Sequence, residues 1–152
     1  MTLHEDYIGR CLELALIAVK AGNGPFGSLI VVDGKLISES YNKVRTNRDI
    51  SAHAEIDAIR GACQALGTLD LSTGIIYTSA EPCFMCSYAI RMSHISQVII
   101  GARALDRGGV SSKYPILMDP NIEGMSPPPD IVRDILLDDC TALLHEHGFH
   151  HI

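Results

Sequence analysis

Two short segments of this sequence combine residue types that bind metal ions and transfer protons. The first is His53-Ala54-Glu55, and the second, further along the chain, is Pro82-Cys83-Phe84-Met85-Cys86. Imidazole nitrogens and cysteine sulfurs bind zinc well, so His53, Cys83 and Cys86 form a candidate zinc-binding set. Three protein ligands leave a coordination position for water, which is typical of catalytic rather than structural zinc sites.

Glu55 lies two residues beyond the candidate histidine ligand and is the natural carrier of protons. Zinc can lower the pKa of a bound water to about 7, and a carboxylate beside that water can take its proton. Two helical steps turn by about 200°, so His53 and Glu55 cannot both face a metal from the middle of a helix. The pattern therefore requires a helix that begins at about His53.

Cys83 and Cys86 also have a second interpretation, as a redox dithiol. Their spacing places both sulfurs on one face of a helix, and the free N–H groups at a helix N-terminus favour thiolates. Thioredoxin-like motifs occupy the same strand-to-helix position, so the pair alone does not decide between metal binding and redox chemistry. A redox dithiol has no need of His53-Ala54-Glu55, and a catalytically silent zinc module has no need of Glu55. The combination favours a catalytic zinc site.

Hydrophobic periodicity divides the chain into helices and strands that position these segments. Apolar residues recur at helical spacing in His4–Ala21, in Ser51–Leu66 with Ser51 as the N-cap, and in Cys83–Met92. Short aliphatic runs predict strands over Ser28–Val32, Leu36–Tyr41, Ile75–Ser79 and Gln97–Ile100. An Asp-Gly pair between the first two runs predicts a hairpin.

The order of these elements predicts an α/β fold. Strands and helices alternate from residue 36 to residue 100, which implies parallel pairing through crossover helices, and the hairpin adds antiparallel character at one edge. The expected architecture is a three-layer α/β/α arrangement on a mixed sheet, in a single domain over 1–152 with its core at about 4–102. Helix N-termini follow the carboxyl ends of strands in such sheets, so both metal-binding segments should open onto the same rim.

The last third of the chain differs in composition from the rest. Residues 102–129 contain three Gly and five Pro, which predicts loops with little regular structure. A final helix is expected over Pro129–Leu144, with Ile131 and Ile135 on its apolar side. Four histidines follow near the end, at positions 145, 147, 150 and 151, and indicate a frayed polar terminus more than a metal site.

Charge and cysteine content limit the expected partners and compartment. Twelve Lys and Arg against 18 Asp and Glu give a formal charge of −6, which disfavours binding to nucleic acid through its phosphates. No apolar run is long enough to span a membrane. No secretory signal accompanies the five cysteines, so we expect a cytoplasmic protein with free or metal-bound thiols.

Taken together, the two metal-binding segments resemble the signature of the cytidine-deaminase-like superfamily of zinc deaminases. The resemblance extends over about residues 4–102 and includes Gly24-Pro25-Phe26-Gly27, Asn42 and the string Thr78–Cys83. The chain is most similar to the branch that holds guanine deaminases, yeast-type cytosine deaminases and bacterial tRNA adenosine deaminases. That branch implies a five-stranded mixed sheet, one Zn²⁺ per subunit and a homodimer.

The resemblance also implies a role for each candidate site residue. Zinc is expected to be held by His53, Cys83 and Cys86. Glu55 would move the proton of the attacking water to the neighbouring ring nitrogen and then assist the departure of ammonia. Asn42 and the backbone around Ala54 would hydrogen-bond the substrate ring, and Phe26 would lie against its face. Asn42 could otherwise be a turn residue at a strand end, and Phe26 could belong to the core.

The expected substrate is a small aminated heterocycle, with the free base guanine as the first choice. Phe26 between Pro25 and Gly27 is similar to guanine deaminases, and the acidic charge disfavours tRNA. Residues 101–111 instead resemble tRNA adenosine deaminases, and no residue matches the C-terminal acid that assists proton transfer in guanine deaminases. The alternatives are deamination of adenosine in tRNA and deamination of cytosine or a nucleoside.

Overall fold

Five strands form one mixed sheet with helices on both faces. The computed structural model describes residues 1–152. The helices are α1 (Leu3–Lys20), α2 (Val44–Asn47), α3 (Ala54–Leu66), α4 (Phe84–Met92) and α5 (Leu137–Glu146). The strands are β1 (Gly27–Val32), β2 (Lys35–Tyr41), β3 (Gly74–Ala80), β4 (Gln97–Ala102) and β5 (Asp130–Val132). None of the helices is both long and apolar enough to cross a lipid bilayer.

The strand order is β2-β1-β3-β4-β5, which confirms the predicted mixed five-stranded sheet. β1 is antiparallel to both β2 and β3, whereas β3, β4 and β5 run parallel. The predicted hairpin between β1 and β2 is present, and its two turn residues, Asp33 and Gly34, both have positive φ, at 52° and 77°. Asp and Gly tolerate that conformation better than most residues, which is why this pair makes the turn.

The predicted parallel pairing of successive strands is confirmed for β3 and β4 but is wrong for β2 and β3. β1 lies between these two strands and pairs with both. All six residues of β1 are buried, whereas most of β2 is exposed or half-buried. A fully buried strand gains most from neighbours on both sides, and a partly polar strand is better suited to an edge.

Side chains of the central strands alternate between two apolar clusters, one on each face of the sheet. The cluster under α3 and α4 includes Ile30, Ile76, Val98, Ala58 and Ile90. The cluster under α1 and α5 includes Leu29, Tyr77, Ile99, Ile8 and Leu144. Neighbouring residues of each strand thus face opposite layers, as the period of two in a strand requires. The predicted three-layer α/β/α architecture is confirmed.

The N-cap of α3 lies two residues later than the predicted N-cap at Ser51. The N-cap is His53, whose backbone is extended with φ −71° and ψ 153°. Ser51 instead donates its backbone N–H and its hydroxyl to Asp49 Oδ1, at 2.8 and 2.7 Å. These two local bonds hold Ser51 in a turn. Asp and Ser side chains often bond to nearby backbone in this way instead of continuing a helix, so α3 starts only at Ala54.

The structure of the last third confirms the predicted loops but not the predicted helix boundaries. No helix or strand lies between β4 and β5. The helix predicted over Pro129–Leu144 is wrong in its first half, because Ile131 and Val132 belong to β5 and pair with β4. Asp134 and Leu136 have positive φ, at 66° and 51°, and such residues cannot continue a helix. α5 therefore begins only at Leu137.

Candidate active site

Five of the seven predicted site residues line one cavity at the carboxyl ends of the parallel strands, as expected for a common rim, and Ala54 and Cys86 lie behind it. The carboxyl ends of β2, β3 and β4 and the amino end of β1 meet there. The cavity has a volume of about 410 Å³. Its lining includes Phe26, Asn42, His53, Glu55 and Cys83.

His53, Cys83 and Cys86 lie close enough together to hold one metal ion. Nδ1 of His53 is 3.5 Å from each of the two cysteine sulfurs, and all three ligand atoms lie within 4.8 Å of one another. Tetrahedral zinc, with bonds of about 2.0 Å to nitrogen and 2.3 Å to sulfur, would separate nitrogen and sulfur by about 3.5 Å. The donor set and its spacing fit zinc, and no other His, Cys, Asp or Glu joins the group.

Two helix starts bring these ligands together. His53 is the N-cap of α3, Cys83 is the N-cap of α4, and Cys86 lies in the first turn of α4. The Cys86 thiol donates to Cys83, and this bond, with the one to His53, lowers the pKa of Cys83 to about 4. The same bond raises the pKa of Cys86. A thiolate at Cys83 is the form that binds a metal.

Glu55 is almost fully buried beside the metal ligands. It lies in the first turn of α3, so the predicted requirement for a helix that begins at about His53 is met. Burial, and next the charge of Cys83, raise the pKa of the Glu55 carboxyl to about 7. A carboxyl group with a pKa near neutrality can both accept and release a proton at physiological pH.

Asn42 offers an unused amide donor to the cavity. Its backbone N–H donates to the Phe26 carbonyl oxygen at 3.0 Å, which fixes the residue at the end of β2. The side-chain oxygen Oδ1 accepts the Val44 backbone N–H at 3.2 Å. The side-chain nitrogen Nδ2 is therefore the group that can donate to a ligand. The side chain is buried and lines the cavity, and Nδ2 has no acceptor within the chain.

Phe26 and Phe149 form an apolar wall of the cavity. Their rings meet edge to face, with centroids 5.1 Å apart. Residues 148–152 all line the cavity, and the His151 carbonyl oxygen accepts the Leu105 backbone N–H at 2.7 Å. The expected frayed terminus is therefore wrong, because Phe149 and Ile152 pack against the cluster under α1 and α5. These two apolar residues among the histidines were the available sequence signal.

Ala54 does not place its side chain on the cavity. The residue is fully buried at the start of α3. The first N–H groups of a helix have no carbonyl partner within the helix, so the Ala54 backbone remains available as a donor.

Sequence reasoning missed the role of Glu81 in shaping the cavity. This buried carboxylate accepts the backbone N–H groups of Val110 and Ser111 at 3.1 and 2.9 Å, and the Ser111 hydroxyl at 2.6 Å. The Gly109 N–H donates to the Pro82 carbonyl oxygen at 2.9 Å. These bonds fix the loop after β4 against the metal-binding segment, and the loop adds Arg107 to the lining. The signal in the sequence was an acidic residue directly after a buried strand.

Comparison with known proteins places this geometry in a family. The family model described as the cytidine and deoxycytidylate deaminase zinc-binding region matches residues 1–102. A guanine deaminase from Bacillus subtilis is 46% identical over 104 residues, which cover 68% of this chain and 67% of the relative. A tRNA-specific adenosine deaminase from Aquifex aeolicus is 40% identical over 118 residues, which cover 78% of each chain.

Similarity also extends to solved structures. A structure from biochemical and structural studies of A-to-I editing by tRNA:A34 deaminases superposes with a TM-score of 0.85 at 32% identity, covering 91% of this chain and 99% of the other. With its two helix starts converging on a histidine and two cysteines, the chain belongs to the cytidine and deoxycytidylate deaminase family and is a zinc-binding hydrolytic deaminase.

Proposed function

We propose that this chain releases ammonia from a free nucleobase or a related small aminated heterocycle, with guanine as the first candidate. The C-terminal residues carry this proposal, because 148–152 line the same cavity as His53 and Glu55. Two contacts hold these residues at the cavity: the Phe149 ring packs on Phe26, and the His151 carbonyl oxygen accepts the Leu105 backbone N–H. A small ring can lie beneath such a cover, whereas a base within a polynucleotide must bring its flanking phosphates to the same opening.

Deamination adds water to the ring carbon that bears the amine, breaks the carbon–nitrogen bond and releases ammonia. His53, Cys83 and Cys86 would hold zinc, which would supply Lewis-acid chemistry that lowers the pKa of the attacking water to near neutrality. Glu55 takes the proton from the water, passes it to the adjacent ring nitrogen and then assists the departing amine. Its pKa of about 7 suits both the uptake and the release of a proton.

Three groups orient the ring in this proposal. Asn42 Nδ2 donates a hydrogen bond to an acceptor atom of the heterocycle, because Oδ1 is already occupied by Val44. The Ala54 backbone N–H is a second donor, at the start of α3. Phe26, supported by Phe149, provides an apolar surface against the ring.

We further propose that the enzyme is a cytoplasmic homodimer. All five cysteines are free, which fits a reducing compartment. The outer face of α4 exposes Tyr88 and Met92, at 55% and 47%, and Tyr114 beside it is 66% exposed. Phe84 of α4 packs edge to face on Tyr114, so these residues form one apolar surface. A second copy of the chain would cover this surface.

Deamination of adenosine in tRNA is the second candidate function. Arg45, Arg103 and Arg107 line the cavity, and arginine side chains bind phosphates. Arg103 already pairs with Asp134, however, and Arg107 contacts Asp106, so the net charge at the opening is small. This favours the small substrate. Cytosine and nucleosides remain candidates within the same chemistry.

An ammonia-release screen on the zinc-loaded protein tests the proposal. Free bases, nucleosides, pterins and triazines are assayed beside inosine formation in tRNA, with Glu55→Gln as the inactive control. We expect ammonia from a free heterocycle and no binding of tRNA in a gel shift at physiological salt. If inosine forms in tRNA and no free ring releases ammonia, the proposal is wrong and the chain is a tRNA adenosine deaminase.

A further inference from the structure

Lys43, the residue after Asn42, makes a partly buried ion pair with Asp57. The Lys43 ammonium lies 3.1 Å from Asp57 Oδ2 and 3.1 Å from the Ser40 hydroxyl oxygen. The side chains of Lys43 and Asp57 are only 30% and 15% exposed. The ammonium also lies 4.8 Å from the centre of the Tyr41 ring. Partial burial reduces screening by solvent, so this pair holds its two partners more firmly than an exposed pair would.

The ion pair joins the end of β2 to the start of α3. Asp57 lies one turn after His53, and its backbone N–H donates to the His53 carbonyl oxygen at 3.0 Å. The Lys43 backbone N–H donates to the Ala52 carbonyl oxygen, also at 3.0 Å. Side chain and backbone of Lys43 thus both cross from the strand to the residues around His53.

These connections lie between two parts of the site that must keep a fixed distance. The end of β2 carries Asn42, whose free amide faces the cavity, and the start of α3 carries His53 and Glu55. A ring bound at Asn42 reacts only if its amine-bearing carbon lies at the correct distance from the metal and from Glu55. Neither Lys43 nor Asp57 lines the cavity itself.

We propose that the Lys43–Asp57 ion pair is a positioning clamp that sets the distance from Asn42 to the metal-binding start of α3. The clamp rests on the proposed function, because it acts through Asn42 on a bound heterocycle. Lys43 and Asp57 are positioning residues and touch neither the substrate nor the metal.

Arg60 provides a matched control. Its guanidinium pairs with the other carboxylate oxygen of Asp57, but both residues belong to α3. Arg60→Met therefore removes a cation from the same carboxylate without touching the connection to β2. Lys43→Arg keeps the charge of the clamp and serves as the conservative variant.

The first test compares steady-state kinetics of the zinc-loaded variants on a substrate found in the screen. We expect Lys43→Met to lower kcat/KM by about tenfold, since a small misplacement of a positioning group costs up to about 10²-fold. The loss should fall mainly on kcat, because the ring still binds at Asn42 but its amine-bearing carbon is displaced from the metal and from Glu55. The zinc content of Lys43→Met should equal that of the wild type. Arg60→Met should keep wild-type kinetics, and Lys43→Arg should keep most of the wild-type kcat/KM. Equal losses in Lys43→Met and Arg60→Met would overturn the clamp.

A double-mutant cycle separates positioning from a general effect on the fold. If the clamp acts through Asn42, Lys43→Met has little further effect in an Asn42→Ala background. Additive losses in the two backgrounds would show that Lys43 acts elsewhere and would refute the proposal.

Hydrogen exchange in the zinc-loaded protein without substrate gives a result that does not depend on deamination. We expect the amides of residues 42–53 to exchange faster in Lys43→Met than in Arg60→Met. The ion pair from Lys43 to Asp57 is lost in Lys43→Met, and only the weaker bonds from the Lys43 backbone to Ala52 and from the Ser40 hydroxyl to Asp57 still join β2 to α3. Identical exchange in the two variants contradicts the clamp. If the ammonia-release screen finds no substrate but Lys43→Met still exchanges faster, the result contradicts the proposed function and not the clamp.

Discussion

Gly108 lies against the buried carboxylate of Glu81 so closely that a Cβ at position 108 would overlap Glu81 Oε2. The same carboxylate accepts three hydrogen bonds from Val110 and Ser111. Gly108 also forms a β-bridge with Cys83, one of the candidate zinc ligands. The loop after β4 is thus fitted onto the metal-binding segment at a position where no side chain can be accommodated.

We therefore expect Gly108→Ala to destabilise the protein and reduce its activity. The added methyl must displace either the loop or Glu81, and overpacking of this kind costs about 1–3 kcal/mol. Gly9→Ala is the matched control, since nothing lies within 4 Å of a Cβ there and alanine favours the helical conformation of α1. Thermal denaturation should give a lower Tm for Gly108→Ala and an unchanged or higher Tm for Gly9→Ala. A wild-type Tm for Gly108→Ala contradicts the close fit.

The proposed proton-transfer role of Glu55 predicts the behaviour of its isosteric amide. Glu55→Gln keeps the shape of the side chain but cannot accept a proton, so kcat should fall by at least about 10²-fold. Zinc content, measured by elemental analysis, should remain at one ion per chain, because Glu55 is not in the ligand set. Glu123→Gln, at an exposed position, controls for the loss of charge. Substantial turnover by Glu55→Gln would exclude the role.

Removal of one thiolate ligand should abolish metal binding. Cys86→Ser replaces a sulfur that lies 3.5 Å from His53 Nδ1, and the two remaining ligands bind zinc too weakly to retain it. Metal binding stabilises the folded state, so this variant and the chelator-treated wild type should both show a lower Tm than the zinc-loaded protein. Cys63→Ser, outside the metal group, should keep zinc. Full zinc content in Cys86→Ser would exclude Cys86 as a ligand, whereas a native protein with a Cys83–Cys86 disulfide and no zinc would favour the redox interpretation.

Much of this metal site could be predicted because each of its parts is local. The spacing of Cys83 and Cys86 and the proximity of Glu55 to His53 depend only on helix geometry. The requirement that a helix begin near His53 also follows from that geometry, and the structure meets it with His53 as the N-cap. The exact start could not be predicted, because Ser51 suits an N-cap as well as the turn with Asp49 that it forms.

The incorrect predictions concern residues whose partners are distant in the sequence. The apolar residues Ile131 and Val132 suit a helix face as well as a strand. They form β5 because β4 would otherwise have unpaired backbone groups along one side. In the sequence, Phe149 is a single apolar residue among histidines. Its packing depends on Phe26, which lies near the other end of the chain. Pairings of this kind depend on the completed sheet, so composition and periodicity cannot reveal them.

The five cysteines should differ in reactivity once the metal is removed. The thiolate is the reactive form, and its fraction rises as the pH exceeds the pKa of the thiol. Hydrogen bonding lowers the pKa of Cys83 to about 4, whereas burial raises the pKa of Cys140 to about 12 and also raises that of Cys11. At pH 6, iodoacetamide should therefore modify Cys83 in metal-free protein and leave Cys11 and Cys140 intact, as mass spectrometry of the peptides can show. Zinc should protect Cys83.

Phe149 should contribute to substrate binding through Phe26. Phe149→Ala removes the ring that supports Phe26. An aromatic pair contributes about 0.5–1.5 kcal/mol to folding beyond burial, so displacement of Phe26 should raise KM by at most roughly tenfold. His147→Ala is the control, because His147 is exposed and does not line the cavity. Loss of the ring also opens the cavity, so kinetics on the free heterocycle should be measured beside tRNA binding. An unchanged KM would mean that the C-terminal residues only cover the apolar core, and the preference for a small substrate would then need another cause.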